Sequence, residues 1–280
     1  MLKQKKGFSC DLQVHPFGNK IKVIDILRQM EENNLDLVAL LDFSWHNLIN
    51  LYAVMFSDEE LESYYKIDMD FFKKTYRFIN KKNGKKLFVI LGSEVAPLDR
   101  SWHILSIGVT RIKNLYSVEG IINEIIERGG IPIFDHPYVD TLPSSRFRDI
   151  NSTKESELTR ICGKYVGRIG LEWNGLLIPW VRRCMSSGYD DYSNKKTSVL
   201  AEVMGMPLVA TDDLHAWNRK MLKPMGTARI IIPSGKIDED NIIGCLKRNI
   251  LKKNFESVKN YVSVWHFLEV FLHSNWLKGK

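Results

Sequence analysis

Short apolar runs rich in valine, isoleucine and phenylalanine recur along the chain, separated by longer stretches in which apolar residues return every three or four positions. The runs at 8–14, 36–42, 87–93, 103–109, 131–135, 167–173, 207–211 and 228–232 have the length and β-branched content of strands. The stretches at 20–33, 59–82, 117–129, 155–165, 195–205, 239–252 and 260–277 carry the period of amphipathic helices. Strand and helix alternate instead of segregating, which predicts an α/β fold on a parallel sheet with helical crossovers. One domain is expected over residues 1–280, with a helical insertion at about 44–83 and a C-terminal helical extension at about 238–280.

The unusual polar residues fall at the ends of these runs. Asp11 and His15 border the end of the first, Asp42 ends the second, and Glu94 follows the third. Asp135 and His136 follow the fifth, Glu172 closes the sixth, and Asp212, Asp213 and His215 follow the seventh. In a barrel of parallel strands the C-terminal ends meet at one face, which carries the active site. Residues far apart in sequence would converge there. His103 is the exception, because it opens a predicted strand.

Composition narrows the setting. The net charge of +7 and a pI near 9.1 favour anionic partners, although lysine clusters at 73–74, 81–86 and 252–253 also fit a solvated surface. Cysteines 10, 162, 184 and 245 have neither the pairing of a thiolate metal site nor the density of a disulfide scaffold, so buried thiols in the cytoplasm are expected. The basic N-terminus has no apolar run behind it. The apolar stretch at 261–272 is too short to span a bilayer and is interrupted by His266 and Glu269. Its aromatic residues suit a core or a homo-oligomer contact, with no membrane partner expected.

Taken singly, a strand-end aspartate is a turn or helix cap and a single histidine is an ordinary polar residue. Taken together, five of the seven histidines stand at or beside strand ends, several with an acidic neighbour. Imidazole with carboxylate is the ligand set of zinc, manganese or iron. A carboxylate such as Glu94 can bridge two ions, and two ions roughly 3.5–4 Å apart can clamp an attacked phosphorus centre.

The order of these motifs resembles the polymerase-and-histidinol-phosphatase (PHP) superfamily. Its opening Asp-Leu-His-x-His is similar to DLQVH at 11–15, and its strand ending in Thr-Asp-His to VALLDF at 38–43. Its Gly-x-Glu appears as GSEV at 92–95, followed by HILSIG at 103–108, DHP at 135–137 and GLEWNG at 170–175. TDDLH at 211–215 resembles the closing Ser-Asp-Ala-His.

The resemblance implies a distorted (β/α)7 TIM-like barrel with two or three metal ions at the strand ends. By position it puts one divalent ion on His15, Glu94 and Asp213, and a second on Glu94, His103 and His136. His215 matches a ligand of a third ion, and Glu172 lies in a motif at the cleft. Two residues depart from the pattern: Gln13 replaces the first histidine of the opening pair, and Phe43 replaces the histidine after Asp42. Gln13 offers a carbonyl oxygen, a poorer ligand than imidazole for zinc. A third ion is not expected unless His46 supplies what Phe43 cannot.

The activity implied is hydrolysis of a phosphate ester by metal-activated hydroxide, as in a phosphatase or exonuclease. His215, or a water ordered by Asp212, is the expected proton source for the leaving group. Arg146 and Arg148 around Phe147, and Arg219 with Trp217 and Lys220, are candidates to hold phosphate or stack a base. The substrate is expected to be a phosphorylated small molecule or the end of a single-stranded nucleic acid. Two other readings stand beside this one: a barrel that binds without turnover, and an amidohydrolase-like C–N hydrolase. The latter commonly opens on the His-x-His pair that Gln13 breaks.

Overall fold

A computed structural model of the chain describes residues 7–17, 21–43, 60–70, 75–99, 101–139, 150–179 and 192–273. Its strands and helices follow in the order β1 (Gly7–Pro16), α1 (Val23–Glu32), β2 (Leu37–Phe43), α2 (Leu61–Tyr64), β3 (Tyr65–Asp70), β4 (Thr75–Asn80), β5 (Lys86–Val95) and β6 (His103–Ile107). Then come α3 (Val118–Glu127), β7 (Ile131–Asp135), α4 (Ser152–Lys164), β8 (Gly170–Asn174), α5 (Tyr192–Val203), β9 (Leu208–Thr211) and β10 (Leu214–Ala216). The C-terminal part adds β11 (Arg229–Pro233), α6 (Ile242–Leu251), β12 (Glu256–Val258) and α7 (Val264–His273). Ser117 and Asn151 cap α3 and α4 by accepting the amides of Gly120 and Lys154.

The strands form one sheet in the order β12-β11-β1-β2-β5-β6-β7-β8-β9, with β10 on β1 and the hairpin β3–β4 attached through β4 to β5. β9 returns against β11 and β1, so the sheet curls almost into a closed barrel with helices around it. Each of the eight expected strands is present, its ends displaced by a few residues. Two expectations are corrected.

First, the sheet is mixed. β1, β2 and β5 run parallel, as do β7, β8 and β9, but β6 is antiparallel to both neighbours and β11 is antiparallel to β1. The short connection at 96–102 takes β5 into β6 without the long helical crossover that parallel pairing needs. Second, the helix expected over 59–82 is a single turn, α2, followed by a hairpin. TYRFIN buries Tyr76 and Phe78 on one face, a period of two that the surrounding aromatic residues masked in the sequence. Residues 44–59, including His46, lie outside the described residues. The C-terminal extension is only partly helical, since β12 interrupts it.

The barrel interior follows from strict alternation. Cys10, Leu12, Leu37, Ala39, Leu41, Phe88, Ile90, Leu105, Ile107, Ile131, Ile133 and Val209 form one inner cluster, sealed at one end by Ile242, Leu246 and Ile250 of α6. The outward residues, such as Val38, Leu40, Val89 and Leu91 on one flank and Ile104, Phe134 and Leu171 on the other, pack under the helices. Gly92 is required where β5 and β6 approach: a Cβ there would stand 2.3 Å from the Ser106 carbonyl oxygen.

Candidate metal centre

The inward positions change character towards the mouth of the barrel. Ile90, Gly92 and Glu94 share one face of β5, and Ile131, Ile133 and Asp135 share one face of β7. On β6 the order is reversed in sequence, Ile107, Leu105, His103, because that strand runs the other way. His103 pairs with Asp135 across the antiparallel ladder, so the beginning of β6 lies at the same end as the finish of β7. The apparent exception in the sequence is thus a consequence of strand direction. On β1 the register to β2 slips between Asp11 and Val14. Such a bulge lets adjacent residues face the same side: Leu12 joins the inner core while Gln13 reaches Asp135 and Asp213.

Two groups of donors result. Glu94, His103, Asp135 and His136 each present a ligand atom within 4.8 Å of the others, and so do His15, Asp213 and His215. Glu94 stands between them. Its Oε2 is 3.2 Å from His15 Nε2, and its Oε1 lies against His103 Nδ1. His15 Nδ1 contacts the Leu41 carbonyl at 3.2 Å, which fixes the tautomer that leaves Nε2 to face the site. His215 Nε2 is 3.0 Å from Asp213 Oδ1, and His136 Nε2 is 3.1 Å from Asp135 Oδ2. His136 Nδ1 is buried with no hydrogen-bond partner among the described residues. His136 and Asp213 both adopt left-handed backbone, at φ 26° and 50°. This conformation is costly for a histidine, and it turns the chain sharply just past β7 and β9.

A layer of amides and hydroxyls lies beneath these groups. Glu172, fully buried, accepts the His136 amide at 2.7 Å and is also contacted by Asn174 and Thr211. Asn174 Oδ1 accepts the amides of Leu176 and Leu177, so its NH2 is directed at Glu172 and at Asp213 Oδ2, 3.0 Å away. Gln13 is held in the same way. Its Oε1 is 2.8 Å from the Thr211 hydroxyl, while Nε2 donates to Asp213 at 3.1 Å and to Asp135 at 3.4 Å. The expectation that Gln13 offers its carbonyl to an ion is corrected: the oxygen is engaged below and the NH2 faces the carboxylates.

The electrostatics are those of a site with an excess of carboxylates. Burial opposes ionisation of Glu94, but His103 and His15 outweigh it and hold the carboxyl well below its usual range. Burial likewise opposes ionisation of Asp213, yet His215 and His15 bring it down to about 2. Asp135 and Glu172 go the other way, pushed well up by burial and then by Glu94 and by Asp135 respectively. Burial lowers the His15 pKa, and Glu94 and Asp213 raise it by more. Protons thus occupy a site whose donor set suits divalent cations of the zinc, manganese and iron type. Metal uptake requires deprotonated ligands, so affinity should fall as pH is lowered through the raised His15 value, and binding should release protons. Calorimetric titration in buffers of different ionisation enthalpy measures that release; a heat independent of the buffer would contradict it.

The remaining candidates fall elsewhere. Asp212 is fully buried and directed away from the donors, accepting the amides of Gly226, Thr227 and Ala228, which corrects its assignment as a water-ordering residue. Arg219, on the surface, pairs with Asp25 of α1 at 3.5 Å. Trp217 stacks on Phe17 at 4.7 Å and on His273 at 5.7 Å, so its ring is engaged within the protein. Arg146 and Arg148 lie outside the described residues. Phe43 sits beside Glu94 in the β2–β5 register. Asp135, which the sequence placed only next to a ligand, belongs to a donor group itself. The alternation Ile131, Ile133, Asp135 was the signal that could have placed it. Cys162 and Cys245 are buried free thiols and Cys10 is buried with its Sγ 3.8 Å from the Phe8 carbonyl, and among the described residues no helix is long and apolar enough to cross a membrane.

No family model and no curated protein matches the chain. Solved structures do. PsfC from Pseudomonas syringae PB-5123 is similar with a TM-score of 0.53 and 12% identity over 95% of each chain. A two-domain protein from Bacteroides vulgatus ATCC 8482, described as containing a predicted PHP-like metal-dependent phosphoesterase, is similar with a TM-score of 0.52 and 14% identity over 94% of this chain and 69% of that one. At such identities the likeness is one of fold alone: this chain is an α/β barrel with the architecture of those two structures.

Proposed function

We propose that this chain is a metal-dependent phosphoesterase with two divalent ions, one held by His15, Asp213 and His215 and the other by Glu94, His103, Asp135 and His136. The observation that carries this reading is Glu94, whose two oxygens face the two donor groups at one barrel mouth. The description of the Bacteroides vulgatus protein supports the same reaction class. Ions in such a site lower the pKa of water to about 7 and neutralise charge on phosphoryl oxygens.

The chain's own residues do the rest. Asn174 and Gln13 fix the carboxylates Asp213 and Asp135 by amide donation, so the donors are held in place before any ligand arrives. Glu172 sets the backbone of His136 through its amide and keeps Asp135 in register. With His215 among the donors of the first ion, the proton for the departing alkoxide comes from a water at the barrel mouth. The substrate classes are a phosphomonoester or the end of a single-stranded nucleic acid. The test is to load the purified protein with manganese, zinc or iron and to assay a phosphomonoester panel and labelled single-stranded DNA and RNA. Hydrolysis abolished by chelation is expected; inactivity on every substrate with metal bound would sink the reading.

Gln13 favours a second reading, a barrel that binds ions without turnover, because its NH2 faces the ligands where an imidazole would serve better. Gln13→His should therefore raise affinity for one of the two ions by about tenfold or more, the scale of a change around a metal ligand. Competition titration with a chromophoric chelator reads it directly. Unchanged affinity would mean that Gln13 does not limit the site. An inert wild-type chain together with an active Q13H variant would decide for the second reading.

A further inference from the structure

The C-terminal helix α7 is buried through two residues, His266 and Val270. His266, Val270 and His273 stand at i, i+4 and i+7 and so share one face of α7, and the Trp217 ring that this face meets lies 6.1 Å from the His215 ring. Farther along α7, His273 stacks on Trp217. His266 itself is 3% exposed, and its Nε2 is buried with no hydrogen-bond partner among the described residues. The charges of His215 and Asp213 both act on its ring. A buried imidazole nitrogen without a partner is an unusual way to cover a barrel when leucine would pack as well. Burial, with His215 adding to it, holds the ring neutral and pushes its pKa down to about 4, so the nitrogen that faces its neighbours carries no charge.

We propose that His266 is an outer-sphere partner of the ion held by His15, Asp213 and His215, its Nε2 hydrogen-bonding a water in that ion's coordination shell. The inference rests on the metal centre proposed above and extends it to an element outside the strand-end motifs. The three donors close within 4.8 Å of one another without His266, which is why the contact is assigned to a water and not to direct ligation. The helix thereby adds a third imidazole where the strands supply two. His266 is a positioning residue for the ion.

The experiment is metal binding, read by equilibrium titration with manganese and by the visible spectrum of the cobalt-loaded protein. Wild type, His266→Leu and His266→Gln are compared, with circular dichroism to verify folding. H266L should lower the affinity for one of two ions by roughly tenfold to a hundredfold, leave the other unchanged and shift the cobalt spectrum. H266Q, whose amide can reach the same water, should recover part of the loss. A folded H266L that binds both ions as wild type does would overturn the role of His266 while leaving the metal centre intact. A wild-type chain that binds no ion would overturn the centre and this inference together. Should neither variant fold, long-range 15N–1H spectra of the wild type decide: the His266 imidazole signals should move on zinc addition with those of His15 and His215, and their failure to move would overturn the proposal.

Discussion

Replacing Glu94 by glutamine should remove most of the metal and reduce hydrolysis by on the order of 10^2–10^3-fold, the scale of deleting one preorganised electrostatic group from an active site. The reason lies in the geometry. Glu94 is 4% exposed, faces His15 with one oxygen and His103 with the other, and is the carboxylate that both imidazoles keep ionised. Glutamine keeps the shape and loses the charge, so neither donor group can count on it for neutralisation of a cation. Fold should be retained, because the inner apolar cluster below Glu94 is untouched. Atomic absorption on the purified variant, with turnover at saturating metal, separates the two effects. A variant that holds metal and turns over normally would show that Glu94 is not shared.

Asp212 should give the opposite phenotype, loss of stability before loss of chemistry. Its carboxyl accepts three consecutive backbone amides, from Gly226, Thr227 and Ala228, and Asp11 accepts the Gly226 amide as well at 3.1 Å. These contacts tie the turn after β9 to the segment that leads into β11 and hence to the closure of the sheet. Asp212→Leu leaves the buried Ala228 amide without an acceptor, at about 1–3 kcal/mol for an unsatisfied group, while Gly226 keeps Asp11 and Thr227 keeps the Pro224 carbonyl. A loss of about 1–3 kcal/mol is expected, the scale of one orphaned buried amide. Urea denaturation should show a lower midpoint at unchanged slope. Full stability with lost activity would instead restore the role of ordering a catalytic water.

How much of this was legible beforehand divides along physical lines. The strands were legible because each inner face is apolar for two or three turns of the period before a single polar residue ends it, as in Ile131, Ile133 and Asp135. The gathering of His15, Glu94, His136 and Asp213 was legible for the same reason, since those residues follow strand ends. His103 looked misplaced because direction cannot be read from a strand's own composition; β6 is antiparallel, and its first residue therefore arrives at the same mouth. The hairpin β3–β4 was hidden because alternate and helical spacing coincide when nearly every position in a short window is aromatic or charged. The orientation of Gln13 was illegible in principle, depending as it does on Thr211, Asp135 and Asp213, residues that meet it only in the folded barrel. Asp212 and Asp213 are neighbours of one type with opposite fates. The left-handed backbone at Asp213 turns one carboxylate into the site and leaves the other to the amides of 226–228.

The central claim is that one barrel mouth holds two cations joined by Glu94. The most direct measurement is the number of ions retained per chain after the metal-free protein is loaded with manganese or zinc and desalted. Two per wild-type chain is the predicted result, and fewer than one, unaffected by Glu94→Gln, would contradict it.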